Sequence, residues 1–378
     1  MNLAPHFAQT YSEAREKFLA AARACGARIF RRVHPSERGA EDEELSLDLA
    51  QLGDEHAPGL LLVSSGTHGV EGFCGSGCQV ALLHEPAFLA ALAQSRVRLL
   101  MLHAINPYGF SHLRRANEDN VDLNRNFVDF SAPLPVNREY AEIHSLLLPA
   151  AWPPAPENEA ELLARVARDG LQAFQAAVTG GQYAFADGMF YGGKLPTWSN
   201  ASLRAALRGQ AAACTRLGWI DLHTGLGPRG HGEKIWAGGD DAGAVARARA
   251  WWGAEVTSAF EGTATAARVS GVIANAAATE CPRAELTPMV LEYGTYSLEH
   301  TLQVLRAEHW LQQHPEVPEA QRAAIKRALR DAFYIDADDW KTMVVAQAKD
   351  ACLQALAALA SPAAALEPNR ATLGEQQP

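Results

Sequence analysis

Long basic runs are missing from this chain. Its formal net charge is -10 and Lys and Arg never gather into a tract, so neither nucleic acid nor an anionic membrane surface is expected as a partner. Cysteine is scarce. The six residues, at 25, 74, 78, 214, 281 and 352, are too thinly spread for a disulfide scaffold and suit a reducing compartment. No stretch reads as approaching the roughly 20 apolar residues that span a bilayer. The opening segment carries Glu13, Glu16 and Lys17 and lacks the basic and then apolar regions of a secretory leader, so a cytoplasmic location is expected. What remains, 48% hydrophobic and 20% charged residues, is the composition of a packed globular protein. Its 378 residues suffice for one large domain or two ordinary ones.

Hydrophobic spacing predicts a helix over 11–25 and short strands near 28–34 and 45–51. Gly59–Ser65 and Val97–His103 are continuous apolar runs, the pattern of strands covered on both faces, and residues 73–95 between them read as one helix. That β-α-β unit points to an α/β fold. Further strands are expected at 217–222 and 289–292. Helices are expected at 157–177, 199–213, 241–252, 297–313, 317–333 and 338–359. The simplest organisation is one catalytic domain over 1–360 with an insertion at about 131–216 and a loose tail over 361–378.

Four polar clusters stand at the ends of these apolar runs, where open α/β sheets place their sites. The first is Thr67-His68-Gly-Val-Glu71-Gly. A His and a Glu two residues apart converge on one ion if the glycines let the chain turn after the strand. Alone, this pattern is common; it needs a third ligand. Trp219-Ile-Asp221-Leu-His223-Thr-Gly supplies one, although a His in that position also suits a solvated loop. Two His and one Glu with a fourth position open form the catalytic site of zinc hydrolases. Next comes Asn106-Pro-Tyr-Gly-Phe110 followed by Arg114-Arg115 and Val121-Asp122-Leu-Asn124-Arg125-Asn-Phe127. Such a polar run after a buried strand is costly unless it binds something, and a guanidinium suits a carboxylate or an oxyanion. Last is Glu292, emerging from Pro288–Leu291. It suits a general base, or equally a strand-end salt bridge. Cys74 and Cys78, four apart on a helix, read as small buried hydrophobes; His103 and His112 read as hydrogen-bonded structural histidines.

Taken in order, His68-x-x-Glu71, Asn106-Pro-x-Gly-Phe, Arg115, Val121-Asp-Leu-Asn-Arg-Asn-Phe127, His223 and Glu292 resemble the zinc carboxypeptidase family, peptidase family M14, over roughly residues 60–300. Thr67-His-Gly-Val-Glu-Gly-Phe, Phe190-Tyr-Gly-Gly and Asp221-Leu-His-Thr-Gly-Leu-Gly resemble more closely its bacterial DUF2817 branch. The resemblance implies a three-layer α/β/α fold around a mixed, mostly parallel twisted sheet. It implies one Zn2+ held by His68, Glu71 and His223, with Asp122 behind the first histidine. It also implies that Arg115 stabilises an oxyanion, that Asn124 and Arg125 grip a substrate carboxylate, and that Glu292 is the general base.

The expected partner is a peptide or acyl-amino-acid substrate with a free carboxylate, cleaved at the neighbouring amide bond; a homo-oligomer stays open. An N-acyl amino acid deacylase of the aspartoacylase and succinylglutamate desuccinylase type is the alternative within enzymes. A catalytically inactive metal-bound recognition protein is the alternative outside them. The family's active-site tyrosine, some twenty residues before the general base, has no counterpart, since residues 262–291 contain no Tyr. The Gly- and aromatic-rich stretch 181–193 is expected to be a lid or specificity loop, or an ordinary surface loop.

Overall fold

The computed structural model describes residues 3–361. Seven strands, β1 (Arg28–Arg38), β2 (Glu44–Leu52), β3 (Gly59–Ser64), β4 (Arg98–His103), β5 (Arg216–Thr224), β6 (Gly232–Trp236) and β7 (Glu285–Tyr293), form one sheet in the order β1-β2-β4-β3-β5-β7-β6. The β4-β3-β5-β7 neighbours are parallel, and the pairings at the two edges are antiparallel. The sheet is therefore mixed with a parallel centre.

The central strands are apolar throughout because both faces are covered. Leu60, Leu62, Leu100, Leu102, Leu217 and Trp219 point into one core, against the helices Trp198–Gln210 and Asn275–Glu280. The intervening Leu61, Val63, Leu99, Met101, Ile220 and Leu222 point into the other, against Tyr11–Ala24, Gly72–Leu83, Ala242–Trp252 and Asp338–Ala360. The result is the expected three-layer α/β/α arrangement.

Several expectations are corrected. The helix expected over 73–95 is two, Gly72–Leu83 and Pro86–Ser95. Pro86 has no N–H to continue the first helix and instead starts the second, capped by the Glu85 carboxylate on Ala87 N–H. The helix expected over 157–177 breaks at Gly170, whose φ of 85° leaves the helical region. β6 and the helix Arg138–Leu147 were not anticipated.

The helix Asp338–Ala360 is long and apolar enough to cross a bilayer by length and composition, against the expectation that no stretch is. Here one face of it, including Trp340, Val344, Ala348 and Leu356, is core, as are Trp251 and Trp252. The tail expected over 361–378 lies, from residue 362 on, outside the described residues.

Candidate active site

β3 ends at Ser64, and the chain then turns sharply through Gly66, at φ 64°, to reach His68. His68 precedes a short helical turn, Gly69–Glu71, that leads into the helix Gly72–Leu83. Gly69 is required there: a Cβ would lie 2.0 Å from the Gly109 carbonyl carbon. The turn is hung on the second cluster by two backbone bonds, Gly69 N–H to Arg115 O at 3.2 Å and Val70 N–H to Arg114 O at 2.8 Å. Asn106 accepts from Gly109 N–H and donates to Arg115 O, so Asn106–Phe110 is scaffolding for the turn rather than a binding cluster.

β5 and β7 run in parallel register with His223 beside Glu292, and β3 sets Ser64 beside Asp221. His68, Glu71 and His223 meet in this way. Their ligand atoms all lie within 4.8 Å of one another, and they are the one such group among the described residues. His68 Nδ1 lies 2.8 Å from Glu71 Oε1, and His223 Nδ1 lies 3.0 Å from Glu71 Oε2. All three residues are buried.

Each imidazole is held from behind. His68 Nε2 lies 3.2 Å from Asp122 Oδ1, and His223 Nε2 lies 2.7 Å from Asp221 Oδ2. Asp221 is in turn fixed by Ser64, whose hydroxyl donates at 2.6 Å, and by the Thr67 hydroxyl at 3.0 Å. Trp219 Nε1–H donates to Ser64 Oγ. The carboxylate at His223 Nε2 selects the tautomer that leaves its Nδ1 free to ligate, whereas His68 Nε2 faces both Asp122 Oδ1 and the Arg115 guanidinium. Two Nδ1 atoms and a carboxylate, oriented in this way, are a donor set suited to zinc. The role of Asp221 was missed in the sequence, though an acid in an otherwise apolar strand, two residues before a histidine, was the signal for it.

Arg115 donates to Asp122 Oδ2 at 3.1 Å and to Glu71 Oε1 at 3.2 Å, with Nη2 2.8 Å from His68 Nε2. Its neighbour Arg114 turns the other way, into a buried ion pair with Glu308. Arg125 is buried, and Thr179 O accepts from its Nε and Nη2 while Asn124 O accepts from Nη1. Three of its five N–H groups are thus committed to the protein. Asn124 Oδ1 accepts from Ile273 N–H, and Asn126 is wholly structural, tied to Gly192, Leu195 and Asn200.

Glu292 is buried, its Oε1 accepting from Leu226 N–H at 3.0 Å. Burial, and then the Glu71 charge, push its pKa up to about 8 against the pull of His223, Leu226 N–H and Arg115. Asp122 is held well below the usual carboxylate range: burial opposes this, but Arg115, Arg125 and His68 outweigh it.

A cavity of about 350 Å³ collects His68, Glu71, Arg115, Asn124, Arg125, His223 and Glu292. Its outer walls are apolar, including Met289 from β7, Phe260 and Ile273 from the 253–274 loop, and Leu302. His103 and His112 stand apart from it. His103 bonds Ser76 Oγ at 2.9 Å and stacks on Phe18, and His112 meets Arg38 O at 3.0 Å. Cys74 and Cys78 are core residues.

The family description that matches this chain is "Protein of unknown function (DUF2817)", over residues 7–347. The chain belongs to that family. Among solved structures, bovine thrombin-activatable fibrinolysis inhibitor, in complex with tick carboxypeptidase inhibitor, is similar at 9% identity. That match covers 94% of this chain and 98% of that one, with a TM-score of 0.50. Carboxypeptidase A from Helicoverpa armigera matches at 14% identity over 85% of this chain and 73% of that one, TM-score 0.44. An aspartoacylase family protein from Mesorhizobium loti matches at 16% identity over 71% and 61%, TM-score 0.34. No curated protein matches. The DUF2817 member described here therefore has a zinc carboxypeptidase-like α/β fold.

Proposed function

We propose that this protein is a zinc-dependent hydrolase that cleaves an amide bond next to a free carboxylate. The observation carrying this is the convergence of two imidazole Nδ1 atoms and the Glu71 carboxylate, each imidazole backed by an aspartate, in one cavity with Glu292 and Arg115. A zinc ion held by His68, Glu71 and His223 would supply Lewis acidity to the substrate carbonyl and make a nearby water more acidic.

Asn124 and Arg125 orient the substrate by its carboxylate, Arg125 through the N–H groups that Thr179 and Asn124 leave free. Glu292, with Oε1 fixed by Leu226, takes the proton of the attacking water on Oε2 and returns it to the leaving nitrogen. Arg115 donates to the oxygen on which negative charge develops. Asp221 keeps the His223 imidazole in the ligating tautomer, and Asp122 orients His68 from behind.

The cavity size favours a second reading within the same chemistry. About 350 Å³ lies at the small end of ligand pockets, room for a short acyl-amino acid more readily than for an extended peptide. The test is a hydrolysis screen of dipeptides and N-acyl amino acids with zinc-loaded and chelated protein. Turnover is expected only when loaded, and Glu292→Gln should lower kcat by about 100-fold or more with zinc content unchanged. Full turnover in Glu292→Gln sinks the assignment.

A further inference from the structure

Among the described residues, which include all eight tyrosines of the chain, no tyrosine lines the cavity. Besides Arg268, which lies over the Phe260 ring, the cavity's arginines Arg115 and Arg125 face the ring of Phe190. The Arg115 guanidinium carbon lies 5.1 Å from the centre of that ring and the Arg125 carbon 5.6 Å, both within cation–π reach. Asp122 lies at the same pair, accepting from Arg115 Nε at 3.1 Å and 4.0 Å from Arg125 Nη1.

Phe190 is placed there at a conformational cost. Its φ of 52° lies in the left-handed region, which an aromatic side chain rarely adopts and which persists only where the surroundings over-determine it. The surroundings do so here. Gln182 N–H donates to Phe190 O, Asp122 N–H donates to Tyr191 O at 2.8 Å, and the Tyr183 hydroxyl donates to Arg125 O at 2.7 Å. Gln182, Tyr183, Met189, Phe190 and Tyr191 are all buried. Residues 181–183 and 188–193 of this segment are a buried wall bonded to the same stretch of chain that carries Asp122 and Arg125, while 184–187 between them reach the surface.

We infer that Phe190 is a positioning residue, whose ring holds the Arg115 and Arg125 guanidinium groups together as one cationic wall before substrate arrives. The inference rests on the proposed hydrolase reading and adds to it how the two arginines are kept in place. Two like charges in a buried site repel, and the electron-rich ring face and Asp122 offset that repulsion from two sides. Held in this way, both groups meet the substrate carboxylate and the developing oxyanion with little reorganisation.

The test combines crystal structures with kinetics for zinc-loaded F190L, F190G and F190Y, using the N-acyl amino acid and dipeptide panel. F190G deletes the ring and relieves the backbone strain, F190L keeps part of the buried apolar volume at the strained position, and circular dichroism establishes the folded fraction of each before the kinetics are compared. F190L and F190G should lose about tenfold or more in kcat/KM, from the two lost cation–π contacts. The loss should divide between a higher KM, through Arg125, and a lower kcat, through Arg115. F190Y should recover most of it, and in the F190G structure at least one guanidinium should shift. Unmoved guanidinium groups in F190G, or an equal loss in F190Y and F190L, overturns the inference. A wild-type protein inactive on the whole panel sinks the hydrolase reading instead, and the structures still decide whether Phe190 holds the arginines.

Discussion

Replacing Asp221 with Asn tests whether the proposed metal centre depends on a residue outside the proposed ligand set. Asp221 Oδ2 sits 2.7 Å from His223 Nε2, and Oδ1 accepts from the Ser64 and Thr67 hydroxyls. In Asp221→Asn one side of the group becomes a donor. If the amide nitrogen faces His223, Nε2 must accept, the proton moves to Nδ1, and the ligating atom is blocked. If the amide is turned round, its nitrogen faces Ser64, whose oxygen already accepts from Trp219 Nε1–H, and Thr67. Either arrangement breaks a buried bond. A hydrogen bond to a charged group is worth about 1.5–3 kcal/mol net, and lost partners behind a ligating histidine typically cost about 10–100-fold in metal affinity. We expect zinc affinity to fall by that factor, measured by competition with a chromophoric chelator at fixed pH, with the fold intact by circular dichroism. An affinity within about twofold of wild type would refute the claim that Asp221 sets the His223 tautomer.

Two further expectations follow from buried contacts. Gly69→Ala drives a Cβ to 2.0 Å from backbone at Gly109, so it should cost roughly 3 kcal/mol or more of stability and weaken zinc binding, because His68 and Glu71 flank the displaced turn. A urea midpoint and a zinc affinity equal to wild type would contradict this. Burial lowers the His103 pKa from 6.5 to about 4. The unfolded chain therefore binds the proton more readily, and the stabilisation is complete above pH 6.5 and lost as pH falls from 6.5 towards 4. The shift corresponds to about 3 kcal/mol. His103→Gln should flatten the fall in unfolding free energy between pH 7 and 4 by about that amount, read from urea titrations at each pH; parallel curves for the two proteins would rule it out.

Much of the candidate site is legible in the sequence because several of its elements break a pattern. His68, His223 and Glu292 are polar residues that end apolar runs, and an apolar run buried on both faces makes such a break visible. Other features break no pattern. β6 is a five-residue edge strand, Gly-Glu-Lys-Ile-Trp, with mixed polarity. The helix Arg138–Leu147 follows a proline-rich stretch that hides its start, although Asn137 caps it. Segment 181–193 owes its place to side-chain-to-backbone bonds from Gln182, Asn120 and Asn126, which have no period along the chain. The reach of Arg125 was also hidden: the carbonyl of Thr179, 54 residues away in sequence, takes two of its N–H groups.

Strand parity explains why His103 stays out of the site although it too ends a buried strand. Ser64, Asp221, His223 and Glu292 share a sheet face through the β3-β5-β7 register, the face whose core holds Leu62 and Trp219. On β4 that face belongs to Leu100 and Leu102, so His103 falls on the opposite face with Leu99 and Met101 and meets Phe18 and Ser76 instead. A strand with one solvated face advertises its parity as an alternation of polar and apolar residues. β3, β4 and β5 are covered on both faces, so their parity leaves no trace in composition. It emerges only when the register is known. A one-residue slip of β5 would send His223 into the Ile220 and Leu222 core, which is why the ligand set depends on the sheet's register as much as on the identity of the ligands.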